Sequence, residues 1–287
     1  MQDIITIITT AILIGSLYAL IGMGLSVMLG IMKVVNLGHG DLVILSAFIA
    51  ISLIAVLGIS ALYTLIIIIP VMFGLGYLIQ TFLLNKVIAR GMEPPLLVSF
   101  GLAIIIQNAL LLAYSADARS IRTVYAVQTI RVGDIINLPV VYLVAFAISL
   151  IVIFTLYFVF QKTYLGWAIR AASDDEVTAR IMGINTKRIY AYAMGIALSA
   201  AAVGGVLYGM IFTFYPTTGP RALIIAFAVV ILGGLGNMSA ILLGGIVFAL
   251  AQLLGAYFFG PAYQLIAGYL VLVLVLAIRP QGLLGRA

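Results

Sequence analysis

Apolar residues in this chain come in long unbroken runs, and the charged residues fall between those runs rather than inside them. A charge at the centre of a bilayer costs at least about 2.5 kcal/mol on insertion scales, so each uncharged run is a candidate membrane span. The runs cover residues 4–32, 42–85, 94–116, 135–161, 189–220 and 223–278. A hydrocarbon core about 30 Å thick takes about 20 residues of helix. The second run is therefore long enough for two helices meeting near Gly58 and Ser60. The last holds two full spans plus a shorter piece that stops at Gly233, Gly234 and Gly236. The pattern predicts an all-α polytopic membrane protein, a single transmembrane domain over residues 1–287 with about eight transmembrane helices, or nine if the short piece crosses.

Composition supports this and removes most alternatives. Of the 287 residues, 65% are hydrophobic and 8% charged, whereas soluble domains average about a quarter charged; no sizeable soluble domain fits. The first run is too long for a signal-peptide core and has no basic segment before it, so it is expected to stay as a membrane helix. The absence of cysteine excludes disulfides, thiolate zinc sites and cysteine catalysis. A single histidine leaves few ligands for a metal. The net charge of +6 would suggest a phosphate-contacting face in a nucleic-acid binder; here it reads as loop charge, with no nucleic-acid partner.

Cytoplasmic loops carry the excess of Lys and Arg. The segments at Lys33, 85–95, 161–188 and the tail from Arg279 hold ten of the fourteen basic residues, against four on the other side: Arg119, Arg122, Arg131 and Arg221. This split puts the N-terminus outside and the C-terminus in the cytoplasm. Its parity needs an odd number of crossings after Arg221, so residues 223–232 cross or a neighbour re-enters.

Two loops exceed simple connectors. In the external one, 115–138, the weak alternation of 123–132 followed by Gly133 and Asp134 resembles a small hairpin, with an irregular loop as the alternative. The internal one, 161–189, holds five of the fourteen basic and three of the eight acidic residues. Within it Ser173-Asp174-Asp175-Glu176 reads as a capping box, the Ser173 hydroxyl accepting from the third amide while Glu176 reaches back. It predicts a helix from about Asp174 to Met182, stopped by Gly183. Val177, Ile181 and Ile184 form one apolar stripe. A helix under three turns is marginal alone in water, so this one must dock on the membrane surface or on a partner.

Chemistry-bearing motifs are few. A P-loop is absent: the only Lys-Ser/Thr pair, Lys162-Thr163, follows Phe160-Gln161, so any ATP is hydrolysed by another chain. His39 and Asp41, two apart, point to different faces of a helix, and no serine completes a triad. An intramembrane enzyme would have to rely on His39 alone. The polar, Gly-rich Asn36-Leu37-Gly38-His39-Gly40-Asp41 lies between two apolar helices. Broken backbone at membrane depth is tolerated where it is buried in protein or lines a cavity, so the segment reads either as part of a translocation pathway or gate, or as a tight cytoplasmic turn with Asp41 opening the next helix. The run 231–237 reads as the interrupted helix of a transporter or as a loop at one membrane face. Small residues at Ala11, Gly15 and Ala19, and at Gly205 and Gly209, suit close helix packing. No ionisable residue sits deep in a span. Asp41, Lys33 and Arg221 lie at span edges, which argues against a proton-coupled carrier and leaves a facilitated channel open.

Three groups of residues then occur in a familiar order: Gly24-Leu25-Ser26 through Asn36-Leu37-Gly38-His39-Gly40-Asp41; Gly166-Trp167-Ala168-Ile169-Arg170-Ala171 with Asp175, Ala179 and Gly183-Ile184-Asn185; and Leu232-Gly233-Gly234-Leu235-Gly236. Along nearly its whole length the chain resembles the membrane permease subunits of branched-chain amino-acid ABC importers, and most the shorter of the two paralogous permeases. Gly38 departs from the family's frequent Ala, one small residue for another. The resemblance implies a multi-pass protein of the bacterial inner membrane. Its implied partners are the paralogous permease, two cytoplasmic ATPase subunits and an extracytoplasmic substrate-binding protein. ATP and magnesium would sit on the ATPases, with no cofactor on this chain. The loop 161–189 becomes the coupling element, with Gly166, Arg170, Asp175, Val177, Ala179, Ile181, Gly183, Ile184 and Asn185 seating on an ATPase. The pathway or gate takes Asn36, His39, Gly40, Asp41, Gly233, Gly234 and Gly236. The implied substrate is a branched-chain or other hydrophobic amino acid, since an apolar cavity with polar groups such as Asn36 and His39 suits an aliphatic zwitterion. Urea or another small solute is the alternative, and a stand-alone channel or secondary carrier a further one.

Overall fold

In lipid the backbone must satisfy its own N–H and C=O groups, so each apolar run is driven into helix. The computed structural model describes residues 2–30, 32–91, 93–132, 136–234 and 236–284. In chain order the helices are α1 (Gln2–Gly30), α2 (His39–Leu57), α3 (Ala61–Phe82), α4 (Glu93–Tyr114), α5 (Val140–Lys162), α6 (Tyr164–Asp174), α7 (Glu176–Ile181), α8 (Thr186–Ile211), α9 (Gly219–Gly233), α10 (Met238–Phe259) and α11 (Gln264–Ile278). All but α6 and α7 belong to segments long and apolar enough to cross a membrane, nine among the described residues. The ninth is the short piece: the 3₁₀ turn Pro216–Thr218 leads directly into α9, and together they make an apolar segment of 18 residues. The second run divides where expected. Gly58 closes α2 in the left-handed conformation at φ +65°, its N–H bonded to the Ile54 carbonyl at 3.0 Å.

The centre of the bundle is α8, whose apolar stretch is 83% buried; that of α11 is only 6% buried. The reason is side-chain size. Ala193, Ala197, Ala200, Ala201 and Ala202, with Gly204 and Gly205, let α1, α2 and α3 approach closely. At Gly205 a Cβ would overlap the Val43 carbonyl of α2. The small residues of α1 serve the same purpose: a Cβ on Gly15 would stand 2.6 Å from the Ile246 Cα of α10.

The long loop after α4 carries an antiparallel pair, β1 (Thr129–Val132) and β2 (Ile136–Pro139), in the register Thr129↔Pro139. The hairpin is shorter than the alternation suggested, because Val124–Ala126 is a 3₁₀ turn; its expected turn at Gly133 and Asp134 lies outside the described residues. Arg119 pairs with Phe214 and ties this loop to the segment after α8.

The segment 161–189 differs from its expected form. Ser173 caps nothing; it lies in the last turn of α6, a helix the capping-box reading had missed. That helix is capped by Thr163, whose Oγ1 accepts from the Gly166 amide at 3.3 Å, and it buries Ala168, Ile169 and Ala172. Asp175 then turns extended (φ −146°, ψ 104°) and caps α7 itself, accepting from Val177 N at 2.9 Å and Thr178 N at 3.1 Å. Three consecutive capping residues, Ser173, Asp174 and Asp175, made the register ambiguous, and the apolar face of α6 decided it. Gly183 ends α7 as expected at φ +86°, with the Ile184 N–H returning to the Ala179 carbonyl at 3.0 Å.

Candidate functional site

After Gly30 the chain does not leave the bundle. Met32 N–H reaches the Val27 carbonyl at 3.4 Å and Val34 N–H the Met28 carbonyl at 3.1 Å, while Asn36 Nδ2 lies 3.5 Å from Met28 Sδ. Residues 32–38 thus fold back along the last turns of α1. His39, the first residue of α2, lies 3.0 Å through Nε2 from the Ile21 carbonyl, about 13 Å along α1 from its end at 1.5 Å per residue. A carbonyl only accepts, so Nε2 carries the proton. In the neutral ring the other nitrogen, Nδ1, is an acceptor; it is buried and without a partner among the described residues.

Such a start inside a bundle needs its amides satisfied, and local side chains do this. Asn36 Oδ1 accepts from Gly38 N at 3.0 Å, and the Leu37 amide donates to Ser99 Oγ of α4 at 3.1 Å. Gly40 allows α2 to meet the first turn of α9, where a Cβ would overlap the Gly219 carbonyl. Asp41 Oδ1 accepts from Gln107 Nε2 at 2.9 Å and packs against Gly219. Asn36, His39 and Asp41 are 1%, 0% and 2% exposed, so the cluster is sealed in this conformation.

The setting of Asp41 differs from expectation. It stays in the first turn of α2, at the start of the apolar segment 39–57, but that turn faces Gln107, well inside α4, because the fold-back carries the start of α2 into the bundle. Asp41 does open the next helix, but the segment before it folds back along α1 rather than making a tight turn. Sequence reasoning also missed Ser99, Gln107 and Gly219. Gln107 was legible as a polar residue in the apolar run of α4, and Gly219-Pro220 as a helix start, but nothing in the order of residues joined them to Asp41.

Gly233, Gly234 and Gly236 are not brought to this cluster. Helix α9 ends at Gly233, Gly234 (φ +104°) and Gly236 (φ +80°) take conformations that favour glycine, and α10 begins at Met238. The turn lies against the end of α1, where a Cβ on Gly30 would overlap Gly236, and against the tail, where Asn237 Nδ2 donates to the Leu284 carbonyl at 2.9 Å. Leu235 lies outside the described residues. The run is a connecting loop at one end of the bundle; the opposite end of α9, at Gly219, is what meets Asp41.

The expected coupling residues form a latched platform at the same end as that turn. Gly166 presses on α5, where a Cβ would overlap the Phe160 carbonyl, and Arg170 Nη1 donates to Gln161 Oε1 at 2.5 Å. Arg180 pairs with Glu176 and donates through Nε to Thr186 Oγ1 at 3.0 Å, and Asn185 Oδ1 caps α8 through Arg188 N at 3.1 Å. Tyr190 OH donates to the Ala172 carbonyl at 2.8 Å. Asp175 is exposed, and its carboxyl is held below the usual carboxylate range chiefly by the bond from the Thr178 hydroxyl, then by the amides it caps. Ala179 is buried, whereas Val177, Ile181 and Met182 are 67%, 80% and 77% exposed. Ile184 is half-buried against the bundle, so the stripe divides into an inward and an outward part. A cavity of about 200 Å³ between α6 and the bundle brings Arg170 and Gly236 to one space.

The family described as branched-chain amino acid transport system / permease component matches residues 7–276. The chain is 31% identical over 285 residues to the high-affinity branched-chain amino acid transport system permease protein BraD of Pseudomonas aeruginosa, covering 95% of this chain and 93% of that one. It is 26% identical over 286 residues to the corresponding permease protein LivH of Escherichia coli, covering 95% and 92%. A probable branched-chain amino acid transport permease protein LivH of Methanocaldococcus jannaschii is 25% identical, covering 97% and 92%. No solved structure matches the chain.

Proposed function

We propose, because this chain belongs to the branched-chain amino acid transport system permease family, that it is the translocating membrane subunit of an ATP-driven importer for branched-chain and similar hydrophobic amino acids. It is a multi-pass protein of the inner membrane and a transport permease rather than an enzyme. Relatives named for branched-chain amino acid transport match it over 95% of its length, and that observation carries the reading of the substrate.

The platform formed by α6 and α7 is suited to take the stroke of an ATPase. Its outward face, Val177, Ile181 and Met182, is apolar and uncovered, while its inward side is bonded to α5 and α8. Closure of two ATP- and magnesium-loaded ATPase subunits would push α6 and α7, and α8 would pass the motion to α1, α2 and α3 packed on it. The seam where α2 starts beside α9 is the place to open. There an aliphatic amino acid would meet apolar walls, with His39 Nδ1 accepting from its ammonium group and Asn36 available to its carboxylate. An extracytoplasmic binding protein would deliver it, and a paralogous permease would complete the path.

A second reading rests on Asp41. An ionisable residue inside a bundle is what ion-coupled carriers keep there, and the same seam would pass urea or another small neutral solute. Uptake of radiolabelled leucine into vesicles holding the purified complex decides between them. ATP inside the vesicles should drive uptake, and unlabelled isoleucine and valine should compete with it. Uptake driven by a proton gradient without ATP would overturn the importer reading, and competition by urea but not by isoleucine would overturn the substrate.

A further inference from the structure

Where α3 ends and α8 begins, a cavity of about 620 Å³ opens between them. One wall is the stripe Tyr77, Thr81 and Asn85, one helical turn apart along the end of α3 and the 3₁₀ turn Leu84–Lys86; four cations, Lys86, Arg90, Lys187 and Arg188, complete the lining. None of the lining side chains is acidic. The ion pairs formed among the described residues, Asp117 with Arg119 and Glu176 with Arg180, involve none of these four. Four exposed like charges around one space make it attractive to an anion.

The cavity is also braced. Asn85 Nδ2 donates to the Lys187 carbonyl at 3.2 Å and its Oδ1 accepts from Gln80 Nε2 at 3.0 Å, so the two walls are tied by a side chain that is itself held. Thr81 is part of the lining, and its hydroxyl is buried and without a partner among the described residues. Beside Tyr77 and Thr81 on α3, Leu78 and Phe82 are 50% and 58% exposed, an apolar face that continues out of the cationic space along the membrane-crossing part of the helix. A free anion would use the first region only, whereas an amphiphile uses both.

We propose that this cavity seats the phosphate head group of an anionic membrane lipid, with its acyl chains lying along Leu78 and Phe82. The distribution of basic residues assigns this end of the bundle to the cytoplasmic leaflet, and basic pockets between membrane helices on that side suit such head groups. The lipid would hold the end of α3 against the start of α8, next to the platform, without touching the seam at His39 and Asp41.

The test is native mass spectrometry of the full chain, purified in its complex in mild detergent and titrated with cardiolipin, with phosphatidylcholine and with inorganic phosphate. Cardiolipin should bind in preference to phosphatidylcholine and resist displacement by phosphate. Lys86→Gln/Arg90→Gln and Lys187→Gln/Arg188→Gln should each weaken it, by roughly fivefold per charge removed, while Lys86→Arg and Lys187→Arg keep it. Arg119→Gln/Arg122→Gln, at the other end of α4, should leave it unchanged. Equal losses in all the neutral variants, or equal binding of phosphatidylcholine, would overturn the proposal. Full displacement by phosphate would make this a free-anion site. Loss of an ATPase subunit from the variants with cardiolipin binding intact would make it a protein contact, and either result overturns the lipid. Where a neutral variant does not fold, the titration of the unmodified chain still decides among the three probes.

Discussion

Gly40 is the residue on which the placement of α2 turns. It lets a helix begin inside the bundle against the first turn of α9, and a Cβ there would overlap the Gly219 carbonyl oxygen, a backbone atom that cannot swing aside. Gly40→Ala should therefore cost about 1–3 kcal/mol of stability, the usual range for overpacking a close contact, and transport should fall with it. Gly101→Ala, in α4 where a Cβ meets nothing within 4 Å, should be neutral or stabilising by up to about 1 kcal/mol. Thermal unfolding of the two variants in one detergent checks the contrast; equal midpoints would mean that α2 and α9 are not pressed together at this point. At this scale the sequence was partly legible. Asn36, His39 and Asp41 stood out as polar residues among glycines between apolar runs, but Gln107 and Gly219 are distant in the chain and carry no local signal of their contact with Asp41.

At the scale of elements, α7 is six residues long, too short to hold its shape without its cap. Asp175 supplies that cap as a carboxylate, and the bonds it accepts from Thr178 and Val177 depress its pKa below the ordinary value. A depressed carboxylate adds stability above the unfolded value, about 3.9, and gives it up as pH falls through the lower folded value. The amides of Val177 and Thr178 should thus stay protected from hydrogen exchange from neutral pH down to about pH 4 and lose protection only in more acid solution. Asp175→Ala should remove the protection at every pH, and protection indifferent to both changes would assign the cap elsewhere. Ile181→Asp tests the outward face of the same element. The side chain is 80% exposed in the isolated chain, so the charge should leave folding unchanged while separating ATP hydrolysis from uptake; full uptake would remove α7 from the coupling role. Sequence pattern found α7, its Gly183 stop and its apolar stripe, yet misplaced the start, because Ser173, Asp174 and Asp175 all make good caps. The choice was made by burial of Ala168, Ile169 and Ala172 of α6, a tertiary fact.

For the whole molecule, the uncharged runs marked the spans well because lipid penalises charge most heavily at the bilayer centre. The rule says nothing of Asp41's surroundings, which are protein rather than lipid. Nor could hydropathy rank the helices by burial. Lipid is as apolar as the interior of a helix bundle, so the central α8 need be no more apolar than α11 at the rim; its mean hydropathy is the lower of the two, 1.8 against 2.1, and its small side chains are what let its neighbours bury it. The number of crossings is the global property most open to direct test. The chain has no cysteine, so single cysteines can be placed at Val124 in the loop after α4 and at Leu284 in the tail, which are 71% and 49% exposed. Between these positions lie α5, α8, α9, α10 and α11. If all five cross, the two sites face opposite sides of the membrane, and the basic residues put Val124 outside. A membrane-impermeant thiol reagent applied to intact cells should label Val124→Cys, and should reach Leu284→Cys only after permeabilisation. The converse pattern would invert the molecule and move the α6–α7 platform away from any cytoplasmic ATPase. Labelling of both from one side would mean that α9 stops short of crossing, and the packing of its first turn on Gly40 and Asp41 would then belong to a re-entrant helix.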